Sequence, residues 1–192
     1  HGSTHGSMSI SYNELKKTKY RPLIPGIRFI TLNQEQELEQ ITSATAGVFL
    51  ETIQGDAGVR IPDASYLQAL RTRCNEVGAL LVFDEIQCGL GRAGSNFAFE
   101  QFGVIPDLLT LGKSLGGGLP IGALVTSPEL MAAFKENPVL GHITTFGGHP
   151  VVCASAAAFL KVLTTEIDYS MLPKIAAIFH DVLVVHPEVD RK

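Results

Sequence analysis

Two short runs, residues 79–83 and 107–111, are apolar nearly throughout rather than in alternation, and chemistry-bearing residues follow each at once. A strand buried on both faces has no polar side, so it reads as a continuous apolar run. Such strands belong to parallel sheets covered by helices. Runs 46–53 and 121–126 have the same character, and helical stretches at 63–77, 127–135, 150–164 and 168–185 are interspersed with them. Asp63 stands where it can cap the first of these helices, Tyr66, Leu67, Leu70 and Cys74 share one of its faces, and Gly78 ends it. Residues 35–41 suggest a short helix; 10–40 are otherwise polar and irregular, with Pro22, Pro25 and Gly26 marking a loop. The pattern predicts an α/β fold with a mostly parallel sheet covered on both faces. Ligands of such sheets bind beyond the carboxyl ends of the strands. That points to Asp84-Glu85-Ile86-Gln87 and Gly112-Lys113-Ser114.

Composition narrows the function. Net charge is −4 with acids and bases interspersed, and no basic tract follows a nucleic-acid backbone, so nucleic acid is not an expected partner. No apolar run has the length of a membrane span, and no membrane partner is expected. Cys74, Cys88 and Cys153 are odd in number and widely spaced, which fits free thiols in a reducing compartment and makes the cytoplasm the expected location. His1 and His5 enclose Gly and Ser rather than a helical Glu, and no metal site is expected.

Three familiar patterns need weighing first. Gly89-Leu90-Gly91-Arg92-Ala93-Gly94 fits G-x-G-x-x-G, but five residues separate it from the strand, two of them carboxylates that would repel a pyrophosphate. Gly112-Lys113-Ser114-Leu115-Gly116 fits G-x-S-x-G, yet Gly116-Gly117-Gly118-Leu119-Pro120 follows where a nucleophile elbow needs a helix. A serine hydrolase using Ser114, with Asp168 and His180 downstream, is retained as a distant alternative. A P-loop fails, because its first glycine would fall at Asp107.

Lys113 lies just past an apolar strand, in a stretch with no other charge from Leu108 to Thr126. It reads either as a surface lysine whose ammonium reaches water or as a partly desolvated amine able to form an imine. Asp84 reads either as a carboxylate capping a turn or as the partner of a cationic ring nitrogen, which it would keep protonated. Ile86, two residues on, shares a face with Asp84 if the chain stays extended, and the Gln87 amide can donate to a phenolate oxygen.

Together these segments resemble the class III aminotransferases of fold type I, which use pyridoxal 5′-phosphate. The resemblance rests on Asp84-Glu85-Ile86-Gln87, Gly89-x-Gly91-Arg92-x-Gly94, Pro106-Asp107 and the run from Gly112-Lys113-Ser114 to Ile121-Gly122-Ala123. Thr145-Phe146-Gly147-Gly148-His149-Pro150 resembles the family's T-F/Y-G-G-N-P, and Glu51-Thr52-Ile53-Gln54-Gly55-Asp56-Ala57-Gly58-Val59 its E-P-I-Q-G-E-x-G-V. His1-Gly2-Ser3-Thr4-x-Gly6-x-Met8-Ser9 resembles H-G-R-T-x-G-x-x-S, so residues 1–7 read as native sequence in preference to a tag remnant.

The resemblance implies roles at the matched positions. Lys113 is the expected catalytic lysine, holding the cofactor as a Schiff base and shuttling a proton from the substrate. Asp84 pairs with the pyridine nitrogen, Ile86 lies on the ring face, Gln87 contacts the ring hydroxyl, and His1 sits beside the ring. Thr145 binds the phosphate in the partner subunit, which implies a homodimer. Glu51 and Asp56 are expected near the substrate. The implied reaction is a ping-pong transfer from an amino donor of acetylornithine or ornithine type to a 2-oxo acid, 2-oxoglutarate first. The alternatives are 4-aminobutyrate, diamine or diaminopelargonate donors, or a mutase or epimerase on the same scaffold.

Three positions depart from the pattern. Ser3 stands where ornithine-type enzymes carry an arginine, and a hydroxyl cannot form that bidentate carboxylate contact. Asp56 replaces a Glu and His149 an Asn. The family is much longer than 192 residues, so residues 1–192 are expected to be part of its cofactor-binding large domain. An N-terminal segment and a C-terminal small domain would then belong to a longer parent.

Overall fold

In the computed structural model, the four apolar runs form one sheet. It describes residues 1–135, 139 and 141–185; residues 186–192 of the expected large-domain segment lie outside these. Strands β1 (Gly47–Glu51), β2 (Leu80–Asp84), β3 (Leu108–Leu111) and β4 (Ala123–Thr126) lie side by side in that order. β1, β2 and β3 are mutually parallel and β4 runs antiparallel to β3. The α/β class and the mostly parallel sheet are therefore as the apolar runs predict.

One face of the sheet carries the core. Helix α3 (Ala64–Val77) packs there, burying Tyr66, Leu67, Leu70 and Cys74 with Leu81, Phe83, Leu109 and Leu111. Each fully buried large side chain contributes about 1.5–3 kcal/mol. The opposite face is covered incompletely: Phe49, in the middle of β1, is 55% exposed. Cover on both faces, expected from the unbroken apolar runs, is thus not complete among the described residues.

Gly78 adopts the left-handed conformation (φ 76°) that closes α3, and its N–H donates to the Cys74 carbonyl. Asp63 occupies the N-cap position, but its side chain makes no capping bond; its own N–H takes Asn33 Oδ1 at 2.9 Å. The stretch 35–41 forms a 3₁₀ helix over Glu35–Gln40 rather than an α-helix. Two short helices were not expected: α1 (His5–Ile10), capped by Thr4 and lying just before the region expected to be irregular, and α2 (Glu14–Lys17), capped by Asn13 and lying within it. The polar cap residues were the signal, outweighed by the low apolar content of the turns that follow.

Downstream come α4 (Pro128–Ala132), α5 (Pro150–Thr165) and α6 (Leu172–Val185). α6 begins four residues later than expected because Asp168 closes its own turn, its Oδ1 and Oδ2 accepting from the Ser170 N–H and hydroxyl at 2.8 Å each.

Candidate functional site

Parallel strands bring their carboxyl ends to one edge. Glu51, the last residue of β1, is the register partner of Asp84, the last of β2, and Asp84 is in turn the register partner of Thr110. Register partners point to the same face of a sheet, so two carboxylates and a hydroxyl form a row across three strands. The Thr110 hydroxyl oxygen is buried and has no hydrogen-bond partner among the described residues.

Beyond β3, Gly112 is extended and Lys113 turns abruptly, with φ +47°, into a 3₁₀ turn over Lys113–Gly116. A non-glycine residue in the left-handed region is strained, and such residues gather at functional sites. The turn is held from behind by α5: Ser155 donates its hydroxyl to the Gly116 carbonyl at 2.8 Å, and a side chain at Gly117 would press on Ser155 and Phe159. Ser155 has no recognisable sequence signal, since its partner is a backbone carbonyl 39 residues away.

Asp84 turns the chain as well as facing the edge. Its Oδ1 accepts the Ile86 N–H at 3.1 Å, and residues 86–89 form turns. The extended geometry that would put Ile86 on the face of Asp84 is therefore replaced by a side-chain-closed turn. Ile86 instead packs over Gly112, where an added methyl would lie 3.4 Å from it. Asp84 Oδ2 accepts from the His1 amino group, and His1 Nδ1 lies 3.3 Å from Glu51 Oε1. Burial raises the Glu51 carboxyl above its usual range. The chain's amino group opposes this, Asp84 and Asp56 reinforce it, and Lys113 opposes it. Asp84 and Lys113 thus both act on Glu51, and His1 lies against it, at one sheet edge.

Gln87 reaches the same region. Its Nε2 donates to Asp56 Oδ1 at 3.2 Å, while its Oε1 is buried without a partner among the described residues. Lys113 itself is exposed, so the desolvated amine read from the uncharged stretch around it is not supplied by these residues. Thr145 lies exposed in the turn before α5 and makes no hydrogen bond to the edge residues.

Glu85 lies in the segment where a ligand is expected but serves the fold instead. It is 0% exposed, and its two carboxylate oxygens accept the Ala98 and Phe99 N–H groups at 2.8 and 2.7 Å. Its tight seat also accounts for Gly89, where a Cβ would stand 2.7 Å from both the Glu85 carbonyl and Oε2. The signal was a carboxylate within an apolar setting followed four residues later by glycine.

The alternative chemistries do not assemble. The Gly89–Gly94 stretch is a series of turns with no helix opening on it. Ser114 makes no side-chain hydrogen bond among the described residues, Asp168 is engaged by Ser170, and His180 lies exposed beside Asp181 on α6. Among the described residues no helix is long and apolar enough to cross a membrane, and no His, Cys, Asp and Glu cluster could hold a metal ion.

Comparison with known proteins places this arrangement in a lineage. The chain is 42% identical over 164 residues to the acetylornithine aminotransferase of Methanocaldococcus jannaschii, covering 85% of this chain and 40% of that protein. It is 42% identical over 186 residues to the putrescine aminotransferase of Pectobacterium atrosepticum, covering 93% and 39%. The chain thus spans about two fifths of the length of these curated relatives. It superposes with a TM-score of 0.85 and 35% identity on ornithine aminotransferase from Toxoplasma gondii, covering 95% of this chain and 43% of that one. That enzyme's structure shows pyridoxal phosphate at partial occupancy in its active site. Residues 1–186 match the class-III aminotransferase family, and the chain belongs to it.

Proposed function

We propose that this chain supplies the cofactor face of a pyridoxal-phosphate-dependent transaminase. The observation that carries the reading is the edge row of Glu51 and Asp84 beside Lys113, the strained lysine that follows β3. The donor set fits the group: Asp84 presents a mostly buried carboxylate at the sheet edge, able to accept a cationic N–H, and Gln87 holds an unpartnered buried oxygen nearby. When bound, the cofactor supplies an electron sink for the pair left as a bond to the substrate's α-carbon breaks.

Each residue has a task in this reading. Lys113 Nζ would hold the cofactor and would be the base that moves the proton of the substrate's α-carbon. Asp84 keeps the ring nitrogen protonated by its opposite charge. Gln87 would meet the ring oxygen, His1 would border the ring, and Ile86, packed over Gly112 beside Lys113, would cover the ring from there. Glu51 and Asp56 would lie near the substrate. Thr145, exposed and without a hydrogen bond to its own chain's edge row, suits a role at the phosphate of a partner subunit, and so a homodimer. Cys74, Cys88 and Cys153 are unpaired, which supports a reducing, cytoplasmic setting.

The reaction is a ping-pong transfer from an amino donor to a 2-oxo acid, with 2-oxoglutarate as the leading acceptor and acetylornithine or ornithine as the leading donor. A diamine donor is the second reading. It is supported by Ser3, exposed and without a cationic group for a substrate carboxylate, and by the likeness to a putrescine aminotransferase. The test is to supply the intact protein with pyridoxal phosphate, 2-oxoglutarate and each donor in turn, and to measure glutamate formation. One donor giving turnover that Lys113→Ala abolishes supports the proposal. Glutamate formation that persists in Lys113→Ala, or no turnover with any donor, contradicts it.

A further inference from the structure

Asp56 and Gln87 lie 31 residues apart in sequence and meet at the same edge, Gln87 Nε2 donating to Asp56 Oδ1 at 3.2 Å. A carboxylate accepts and cannot donate, so the contact fixes which end of the amide points toward Asp56. Two further features close the arrangement. The other end, Gln87 Oε1, is buried and unpartnered among the described residues, so the amide is held with its acceptor turned inward. Gly55, the residue before Asp56, leaves the space that Gln87 fills: a Cβ there would lie 2.5 Å from Oε1 and 2.9 Å from the amide carbon. A side chain at residue 55 would displace the amide that Asp56 orients.

We propose that Asp56 is a positioning residue that acts through Gln87, fixing the orientation of its amide against the bound cofactor rather than contacting the substrate itself. This deepens the transaminase reading and rests on it. With one amide N–H committed to Asp56 and Oε1 packed against Gly55, the amide plane is set and the second N–H is the group left to meet the ring. Removing Asp56 leaves the Gln87 amide able to rotate about its last torsion and weakens whatever contact it makes with the ring. The Asp56 carboxylate also carries charge, and a charge acting directly on the site would do so whether or not Gln87 is present. The two routes are therefore separable by a double-mutant cycle.

The experiment uses the intact protein and pyridoxal phosphate as the probe. Two quantities are measured: the dissociation constant, and the pH midpoint of the visible absorbance band of the bound cofactor. Wild type is compared with Asp56→Ala, Asp56→Glu, Gln87→Ala and the double variant. Asp56→Ala is expected to weaken binding on the order of fivefold and to move the midpoint, and Asp56→Glu to restore much of both. In the Gln87→Ala background, Asp56→Ala is expected to change neither quantity. Effects of Asp56→Ala that are the same with and without Gln87 overturn the positioning role while leaving the transaminase reading intact. A wild-type protein that forms no visible band overturns that reading and this inference together.

Discussion

Glu51 and Asp84 are the final register pair of β1 and β2, and their carboxylates project from the same face of the sheet at its carboxyl edge. Like charges so placed raise each other's cost, which is part of why the Glu51 carboxyl is held above its usual range. Burial is the larger cause, and the nearby Lys113 ammonium offsets part of the cost at Glu51.

Asp84→Asn separates charge from structure. Asn retains an oxygen to accept the Ile86 N–H, so the turn at 84–86 is expected to survive, with stability within about 1 kcal/mol of wild type. The negative charge is lost, and turnover is expected to fall on the order of 10²–10³-fold, as when an electrostatic partner leaves a preorganised site. Single-turnover kinetics beside urea denaturation check this; turnover within about threefold of wild type would count against the assigned role.

Lys113 predicts an unusual stability pattern. Its left-handed backbone strains any residue bearing a Cβ, so Lys113→Gly is expected to stabilise the cofactor-free protein by about 1 kcal/mol, whereas Lys113→Ala is not. Urea midpoints of the two variants without cofactor decide this. Equal midpoints would mean that the strain is absent.

Glu85 makes folding pH-dependent. Burial raises its carboxyl, opposed by the Ala98 and Phe99 N–H groups and by the Thr52 side chain and reinforced by Glu100. A carboxyl with a raised folded-state pKa keeps its proton in the folded protein after the unfolded chain has released it. Its contribution is therefore fully present below the ordinary value of 4.5 and is lost as pH rises through the raised one. Glu85→Gln is expected to flatten this part of the stability–pH curve. The amide nitrogen would also face a backbone N–H in place of an acceptor, lowering stability by about 2 kcal/mol. Denaturant unfolding from pH 4 to pH 8 reads both effects.

Two glycines give a steric contrast. Gly89→Ala puts a methyl 2.7 Å from the Glu85 backbone and carboxylate, neither of which can move without breaking its own bonds, and a loss of about 2–3 kcal/mol is expected. Gly6, in α1, has nothing within 4 Å of an added Cβ, so Gly6→Ala is expected to be neutral or stabilising by up to about 1 kcal/mol. Equal effects of the two on the melting temperature would contradict the packing described around Glu85.

What the sequence reveals follows from what is local. β2 is legible because burial on both sides leaves an unbroken apolar run, β3 because it is apolar apart from Thr110, and the end of α3 because Gly78 alone accepts the left-handed turn without strain. Strand ends then indicate where Asp84 and Lys113 lie. Contacts between distant segments are not written in such runs. Ser155 bonds a backbone carbonyl, Glu85 caps a helix formed 13 residues later, and the Gln87–Asp56 pair depends on the space left by Gly55. The turn at Asp84 and Ile86 was misread because an extended continuation ignores the ability of Asp to accept the N–H two residues on.

The most direct measurement mixes the intact protein with pyridoxal phosphate, records the visible spectrum, reduces with borohydride and maps the labelled peptide. The structure predicts a visible band and a single cofactor-bearing peptide modified at Lys113, both lost in Lys113→Ala. A label on another lysine, or no band at all, would contradict the assignment of this sheet edge as a pyridoxal-phosphate site.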